Sequence, residues 1–188
     1  MCEGIITIMF SSNHKRILIG LMLLFPIILS PSAIADQPVK QSILNKTLCE
    51  SWGATWKNAS CNVSISVSSS TSFKIEPNTS LVINEGVYFT QFGNVANNGS
   101  IQNFGILNFQ PGWTIFNDVK GIIVNRSTLY WYSGILNSGK LLNYHSGTAV
   151  RYQYTENRST GTIYNFGNWI GGCVDKNLGG TVEGICVS

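Results

Sequence analysis

The sequence predicts an all-β fold in which short strands stack as the coils of a β-solenoid, and three observations indicate this. A Gly-led unit of the form G-x-(I/L/V)-x-N-x recurs through the middle of the chain. The segments around it alternate apolar and polar residues between turn-forming Gly, Asn and Pro, which is typical of strands. Helical periodicity is not found after residue 35. A β-sandwich that only mimics a repeat is the alternative fold.

Residues 1–35 are predicted to be a secretory signal peptide. The pair Lys15 and Arg16 is basic, residues 17–29 are apolar, and small residues at 33 and 35 precede the expected cleavage before Asp36. The alternative is an uncleaved membrane anchor, but the apolar stretch is shorter than the roughly 20 residues that a bilayer span needs. The sequence therefore predicts export, and the mature chain is not expected to span a membrane.

The exported part is predicted to be one domain with three segments. These are an N-terminal segment at 36–63, a repeat region at 64–171 and a C-terminal loop at 172–188. With 44% hydrophobic residues the chain can bury a core, whereas 11% charged residues give it little of the charged surface of cytosolic proteins. Its net charge of +3 is too small to indicate a nucleic-acid partner.

Four cysteines follow the predicted leader and form two sequence-local pairs, Cys49 with Cys61 and Cys173 with Cys186. Each pair can close a loop of about a dozen residues, which would stabilise the fold by about 3 kcal/mol on the loop-entropy model. Local pairing is favoured among the possible connectivities because the pairs flank opposite ends of the repeat region. Zinc is the competing interpretation, but neither pair has the close C-x-x-C spacing, and no metal or organic cofactor is predicted.

The repeated unit has a mechanical meaning in a strand. Residues two apart share a face, so the aliphatic residue at +2 and the Asn at +4 are expected to point inward together. Gly is expected to provide the positive φ of a sharp corner. The Asn is expected to take a left-handed position or bond to the turn's own backbone, or to stack on the Asn of the next coil as an Asn ladder. The unit occurs at 93–97, 99–104, 121–125, 139–144 and 161–166, with variants at 105–108 and 134–137.

Two segments upstream of these units are also predicted to be extended. Residues 73–86 alternate apolar and polar residues and are predicted to form the first coil. Residues 63–72 are dominated by Ser and are predicted to be an entry strand followed by a flexible tether. The cysteine loops, with Trp52 and Trp56 at the start and Trp169 at the end, are predicted to cap the solenoid.

The opening I-x-P-x-x-x-L-x-I-x-x-G at 75–86, followed by the G-x-I-x-N-x units, resembles the secreted Gly/Asn-repeat proteins of archaea and bacteria, many of them adhesin-like. The module from Cys49 to Cys61 is similar to short Cys-Gly-Trp-Cys segments of some archaeal surface proteins. The resemblance covers about residues 49–171 and departs at Asn78, where related openings usually have Gly. It implies a right-handed parallel β-helix, and we expect about four to six coils of roughly 18 to 24 residues.

Aromatic residues cluster in two stretches where the repeated unit is interrupted. Tyr130, Trp131 and Tyr132 lie in one stretch, and Tyr152 and Tyr154 lie in the other. Alternation places Tyr130 with Tyr132, and Tyr152 with Tyr154, on common faces. If exposed, these rings would be stacking platforms for sugars or an apolar patch for a partner. The alternative is that they cap or fill the core.

Several N-x-S/T sequons follow the leader, and they would permit N-glycosylation of an exported chain. A chain this rich in Asn, Ser and Thr would hold some of them by chance, so their use is open. The acceptor positions are Asn45, Asn58, Asn62, Asn78, Asn98, Asn125 and Asn157.

Catalysis is not expected from the sequence. Hexapeptide-repeat acyltransferases, which have a similar period, use a histidine base, and the only candidate, His145, is predicted to lie on a surface turn. β-Helix lyases and hydrolases need two convergent carboxylates or a calcium-binding acidic cluster. The mature carboxylates are isolated in sequence, and only folding could bring Glu76, Glu85 or Asp118 together.

These observations predict a secreted or cell-surface structural or adhesive protein without catalysis, whose partners are surface glycans or other surface proteins. Two alternatives stay open. One is a pilin-like filament subunit that assembles by strand exchange through residues 63–72. The other is a carbohydrate-active β-helix enzyme.

Overall fold

The computed structural model describes residues 41–186, and its stacked parallel strands form a β-solenoid of about six turns. The solenoid prediction is therefore confirmed over the β-sandwich alternative. The predicted signal peptide lies outside the described residues. In chain order the elements are β1 Ser42–Ile43, α1 Lys46–Ser51, β2 Thr55–Lys57, β3 Ser60–Val63, β4 Val67–Ser69, β5 Phe73–Ile75, β6 Ser80–Ile83, β7 Tyr88–Gln91, β8 Val95–Asn97, β9 Ser100–Asn103, β10 Ile106–Phe109, β11 Thr114–Asn117, β12 Ile122–Asn125, β13 Thr128–Trp131, β14 Gly134–Asn137, β15 Lys140–Asn143, β16 Thr148–Arg151, β17 Thr155–Asn157, β18 Thr162–Asn165, β19 Asn168–Ile170, β20 Lys176–Asn177 and β21 Thr181–Gly184.

Three sheets form the faces of the solenoid. Face 1 contains β1, β5, β8, β11, β14, β17 and β20, and face 2 contains β2, β3, β6, β9, β12, β15, β18 and β21. Face 3 contains β4, β7, β10, β13, β16 and β19. Neighbouring strands run parallel, apart from β2, which pairs antiparallel with β3. Each coil therefore contributes one short strand to each face in turn.

The predicted alternation along the strands is confirmed on faces 1 and 2. In β12, for example, Ile123 and Asn125 are buried, whereas Ile122 and Val124 point outward. The interrupted stretches between the repeated units also hold strands, namely β11, β13, β16 and β17, which pair in register with their neighbours. Face 3 has no inward Asn, because the equivalent positions of β7, β10, β13 and β16 are Gln91, Phe109, Trp131 and Arg151.

Two ladders of buried asparagines connect the coils, as the stacking alternative for the repeated Asn predicts. In each ladder the side-chain Nδ2 of one Asn donates to Oδ1 of the Asn in the next coil, over N–O distances of 2.7 to 2.8 Å. Sequence separations along the ladders are 18 to 22 residues. The face 1 ladder is Asn97, Asn117, Asn137 and Asn157, and the face 2 ladder is Asn103, Asn125, Asn143 and Asn165.

The predicted reason for the repeated Gly is wrong. Among residues 41–186, positive φ angles occur at other glycines, such as Gly112 at 86°. At Gly139, inside a repeated unit, an added Cβ would instead collide with the backbone oxygens of Gly121 and Asp118 in the preceding coil. Glycine is therefore needed there because the coils approach closely. Asn78 does adopt a left-handed conformation, with φ at 64°, which accounts for Asn where related openings have Gly.

A short helix and a disulfide cover the start of the solenoid. The side-chain oxygen of Asn45 accepts a hydrogen bond from the Leu48 N–H at 2.9 Å, which caps α1 at its N-terminus. The disulfide from Cys49 to Cys61 joins α1 to β3, with its Cα atoms 5.6 Å apart. Trp52 packs edge-on against two buried phenylalanine rings of the first coils at 5.3 Å. The sequence analysis missed α1, because a helix of six residues is too short to show periodicity.

The far end is closed by the second predicted disulfide. Cys173 and Cys186 are bonded, with their Cα atoms 5.3 Å apart, and the loop between them contains β20 and β21. Trp169 is buried against Trp131 with ring centroids 4.9 Å apart, and its Nε1–H donates to the Gly172 carbonyl at 2.8 Å. Both local cysteine pairings are thus confirmed.

The Ser-rich segment 63–72 is not a tether, and that prediction is wrong. Val63 ends β3 and is buried, and Val67 begins β4, which pairs in register with β7. The alternation fails between them because the chain turns a corner there, so Ile65 points to solvent. The stacked sheets accordingly begin before residue 64, with β1 and β3, and continue after residue 171, with β20 and β21.

Replacing a mid-ladder asparagine is expected to destabilise the protein strongly. In Asn137→Ala, the Nδ2 of Asn117 and the Oδ1 of Asn157 would both lose their buried partner, at a cost of about 2–4 kcal/mol in the free energy of unfolding. The matched control is Asn168→Ala on the outer surface of β19, which is expected to cost about 0.5 kcal/mol or less. Urea unfolding measures both, and equal effects would contradict a structural role for the ladder.

Two glycine variants are expected to differ because their glycines serve different purposes. Gly139→Ala places a methyl group against the preceding coil and is expected to cost about 3 kcal/mol. In Gly112→Ala the added methyl group meets open space, but the positive φ of this position is less favourable for Ala than for Gly. The variant is therefore expected to lose about 1 kcal/mol of stability. Thermal unfolding followed by circular dichroism compares them, and a larger loss at Gly112 would show that close coil approach is not limiting.

Candidate functional site

A stack of tyrosines lies outside the ends of two face 3 strands. Tyr130 points outward from β13, and Tyr132 follows that strand, with the two rings 6.3 Å apart and 19° from parallel. Tyr152 follows β16 and stacks on Tyr132 with centroids 4.4 Å apart and planes 10° from parallel. The residues that carry this tyrosine stack were predicted from sequence, and the register of β13 with β16 brings them together.

The two other predicted aromatics do not join the tyrosine stack. Trp131 is 0% exposed and packs against Trp169 in the core, because alternation turns it inward between its two tyrosine neighbours. Its assignment as a ligand-contact residue is therefore wrong. Tyr154 lies beyond a corner, next to β17 of face 1, so it does not share a face with Tyr152. Its hydroxyl donates to Glu156 Oε2 at 3.1 Å.

One ring of the stack has an uncovered face. Stacked rings cover each other, so a sugar can lie flat only on a ring at the end of a stack. Among the described residues Tyr152 stacks only on Tyr132, so it is the last ring of the stack, and it is 57% exposed. Tyr152 therefore offers a planar apolar surface to solvent.

An open groove of about 510 Å³ lies where faces 2 and 3 meet. It crosses successive coils and combines charged, hydroxyl and apolar side chains. The sequence analysis missed it, because its residues are about one coil apart in sequence and become neighbours only once the register is known. Its lining includes Glu85, Phe104, Ile106, Arg126, Thr128 and Ser146.

Arg126 is held in this groove between two aromatic rings. Its guanidinium carbon lies 4.3 Å from the ring centroid of Tyr144 and 5.7 Å from that of Phe104. Such distances give cation–π attraction and fix the plane of the guanidinium. Within residues 41–186, no acidic side chain forms an ion pair with Arg126. The forked N–H donors of this side chain therefore remain available to an anion.

Glu156 on β17 is the centre of a charged cluster on face 1. Arg158 Nε donates to its Oε1 at 3.1 Å, the Tyr154 hydroxyl donates to its Oε2, and Lys176 Nζ lies 3.8 Å from Oε2. Burial alone would raise the pKa of this carboxyl, but the two hydrogen bonds and the two positive charges outweigh burial. The pKa of Glu156 is therefore held below its ordinary value.

The three carboxylates that could have formed a catalytic group do not all lie at one corner of the solenoid. Glu85 lies in the groove between faces 2 and 3, whereas Glu76 and Asp118 follow β5 and β11 of face 1. Glu76 pairs with Lys74 at 3.1 Å, and Asn98 lies in the coil between Glu76 and Asp118. Burial raises the pKa of Asp118, and two nearby positive charges and a hydrogen bond from Asn98 only partly offset it.

Two of the predicted glycosylation sites are inaccessible. Asn125 and Asn157 are 0% exposed because they belong to the two ladders, so these two assignments are wrong for the folded chain. Asn45, Asn58 and Asn78 are exposed, and Asn62 and Asn98 are partly exposed. His145 lies on the surface with its ring 5.8 Å from that of Phe166.

Residues 41–186 contain no group of three or more acidic, His or Cys side chains placed to hold a metal ion. Among the same residues, no helix has the length and apolar character needed to cross a membrane.

Comparisons with protein-family models, curated proteins and solved structures find no match to this chain. The resemblance to secreted Gly/Asn-repeat proteins therefore stays a prediction, and the geometry of the outer surface is the basis for the function proposed below.

Two acidic residues are expected to affect stability against pH with opposite signs. The folded pKa of Glu156 lies below its ordinary value of 4.5, so its stabilising effect is present above that pH and is lost as pH falls through the folded pKa. Glu156→Gln is expected to lower stability at neutral pH and to flatten its decline in acid. The pKa of Asp118 is raised from 3.8, so its charge destabilises the fold as pH rises, and Asp118→Asn is expected to stabilise at neutral pH.

Urea unfolding of both variants and the wild type, from about pH 3 to pH 7, measures these effects. A change of the same sign at neutral pH in both variants would contradict the assignment.

Proposed function

We propose that this chain is a secreted or cell-surface β-solenoid that acts without catalysis, as a rigid structural or adhesive element that contacts glycans. The tyrosine stack carries the proposal, because it places a planar ring, that of Tyr152, at the surface at the end of the stack. The C–H faces of sugar rings pack on such aromatic surfaces, while the tyrosine hydroxyl stays in water.

The scaffold supports this proposal because it holds the stack in place. Two Asn ladders connect successive coils, and a disulfide closes each end of the solenoid. The N–H groups of Tyr132 and Tyr152 donate to carbonyls of the preceding coil, at 2.8 and 3.1 Å, so these residues bind with less loss of conformational entropy than residues on mobile loops. A rigid surface of this kind can bind glycans without a conformational change.

The two alternative functions gain less support. Strand exchange through residues 63–72 would first have to break the pairing of β4 with β7. Hydrolysis of a glycosidic bond needs a pair of carboxylates at one site, and Glu85 lies at a different corner of the solenoid from the other two. Glu76 and Asp118 share a corner, but the coil of Asn98 lies between them and Glu76 is paired with Lys74. Export itself is supported by the leader pattern and by the pair of disulfides, which are typical of oxidising compartments.

Removing the uncovered ring is expected to weaken glycan binding. In Tyr152→Ala, affinity for neutral oligosaccharides should fall about fivefold, the equivalent of about 1 kcal/mol from one aromatic contact. Phe92→Ala is the matched control, because Phe92 is an exposed aromatic residue, at 41%, that follows β7 at the same corner and is separated from the stack by the coil of Gln110.

Titration calorimetry with a panel of neutral oligosaccharides, together with a glycan array, measures both variants. Equal affinity of the wild type and Tyr152→Ala, or an equal loss in Phe92→Ala, would contradict glycan contact at the tyrosine stack.

A further inference from the structure

We propose that the groove between faces 2 and 3 is a second binding site, which takes a sugar carrying one isolated carboxylate or sulfate group. Arg126 would hold the anionic group. This site lies at the turn between faces 2 and 3, whereas the tyrosine stack lies at the turn between faces 3 and 1. The proposal goes beyond general glycan contact, and it rests on different residues.

The guanidinium of Arg126 is already positioned to bind an anion. Tyr144 and Phe104, from the two neighbouring coils, hold the guanidinium plane between their rings. A planar guanidinium matches the two oxygens of a carboxylate or sulfate through a pair of parallel hydrogen bonds. Because stacking already restricts the side chain, little further conformational entropy is lost when the anion binds. Arg126 thus differs from an exposed lysine, which attracts anions only as a mobile charge.

The lining of the groove combines hydroxyl groups with apolar surface. Thr128 and Ser146 provide hydroxyl groups, and the Ser146 Oγ–H donates to the Arg126 carbonyl at 2.7 Å, which leaves its oxygen free to accept. Ile106 supplies apolar surface. Hydroxyls beside apolar surface complement a sugar ring, which has the same two kinds of group.

One negative and one positive side chain in the groove limit the number of charges that a ligand can carry. Glu85 lines the same groove as Arg126 but forms no ion pair within the described residues. A ligand with closely spaced negative charges would place one of them near this carboxylate and be repelled. The pair of opposite charges therefore favours a ligand with one isolated anionic group over nucleic acid or a highly sulfated chain. A volume of about 510 Å³ is within the range of small-molecule sites.

Three related probes test the proposal on the whole chain expressed with its own leader. They are sialyllactose, sulfolactose and lactose, which carry an isolated carboxylate, an isolated sulfate and no charge. Arg126→Gln is expected to weaken binding of the two anionic probes about tenfold, and binding of lactose is expected to be unchanged. Arg126→Lys keeps the charge but not the fork, so an intermediate loss is expected.

Two further variants serve as controls. Lys140→Gln removes the same charge from an exposed outward position of β15, and it is expected to leave the affinity for both anionic probes unchanged. Glu85→Gln removes the repelling charge and is expected to tighten binding of both anionic probes about twofold to fivefold. A gain in affinity cannot result from partial unfolding, so this variant keeps the test informative if an Arg126 variant folds poorly.

Titration calorimetry distinguishes the outcomes. Equal binding of the anionic probes by the wild type and Arg126→Gln, or an equal loss in Lys140→Gln, would overturn the proposal. Tighter binding of an acidic peptide or an oligonucleotide than of sialyllactose would overturn the assignment to sugars. Failure of the tyrosine stack would instead be seen with neutral oligosaccharides and Tyr152→Ala, so the two sites can fail independently.

Discussion

The hydrogen bond between asparagine side chains of successive coils is the interaction on which the rest of the structure depends. A buried amide without partners costs free energy. Each Nδ2 along the ladders donates to the Asn of the next coil and also to a backbone carbonyl of that coil, as Asn125 does to Asn143 and to the Thr148 carbonyl. A shift of register by one residue would turn Val124 inward and Asn125 outward, and would break both of its ladder bonds. The ladders therefore select one register for the coils that they connect, whereas an aliphatic core alone would accept several.

The hydrogen bonds of both ladders run in one direction, so the unpaired side-chain oxygens lie at their N-terminal end. Each Nδ2 donates toward the C-terminus, so the first Asn of each ladder, Asn97 and Asn103, has an Oδ1 without a partner among residues 41–186. The preceding coil has Ile75 and Ile83 at these positions. That coil depends instead on apolar packing, and it is the coil next to the disulfide of Cys49 and the Trp52 contacts. The N-terminal cap thus supports the part of the solenoid that the ladders do not reach.

Sequence reasoning succeeded where the inward positions follow a simple rule. On faces 1 and 2 the repeated aliphatic residue and Asn identify the buried side, so the strands and the ladder could be predicted. Face 3 was recognised only at the variant unit 105–108, which is β10, because its inward positions include Gln91, Phe109 and Arg151, which share neither size nor polarity. The wrong assignment of Trp131 as a ligand-contact residue has the same cause. Alternation with Tyr130 implies that Trp131 points inward, but β13 was not recognised as a strand of the solenoid, so this implication could not be used.

The groove shows why outer sites are harder to predict than the core. Phe104, Arg126 and Tyr144 are separated by 22 and 18 residues, the same steps as the Asn of the face 2 ladder that precede each of them. Nothing in their local sequence links the three residues, and only the coil register set by the ladder makes them neighbours. Because side chains on the outer rows do not contact the core, they can change without disturbing the ladders. A solenoid of this kind therefore separates the residues that determine its fold from those that determine what it binds.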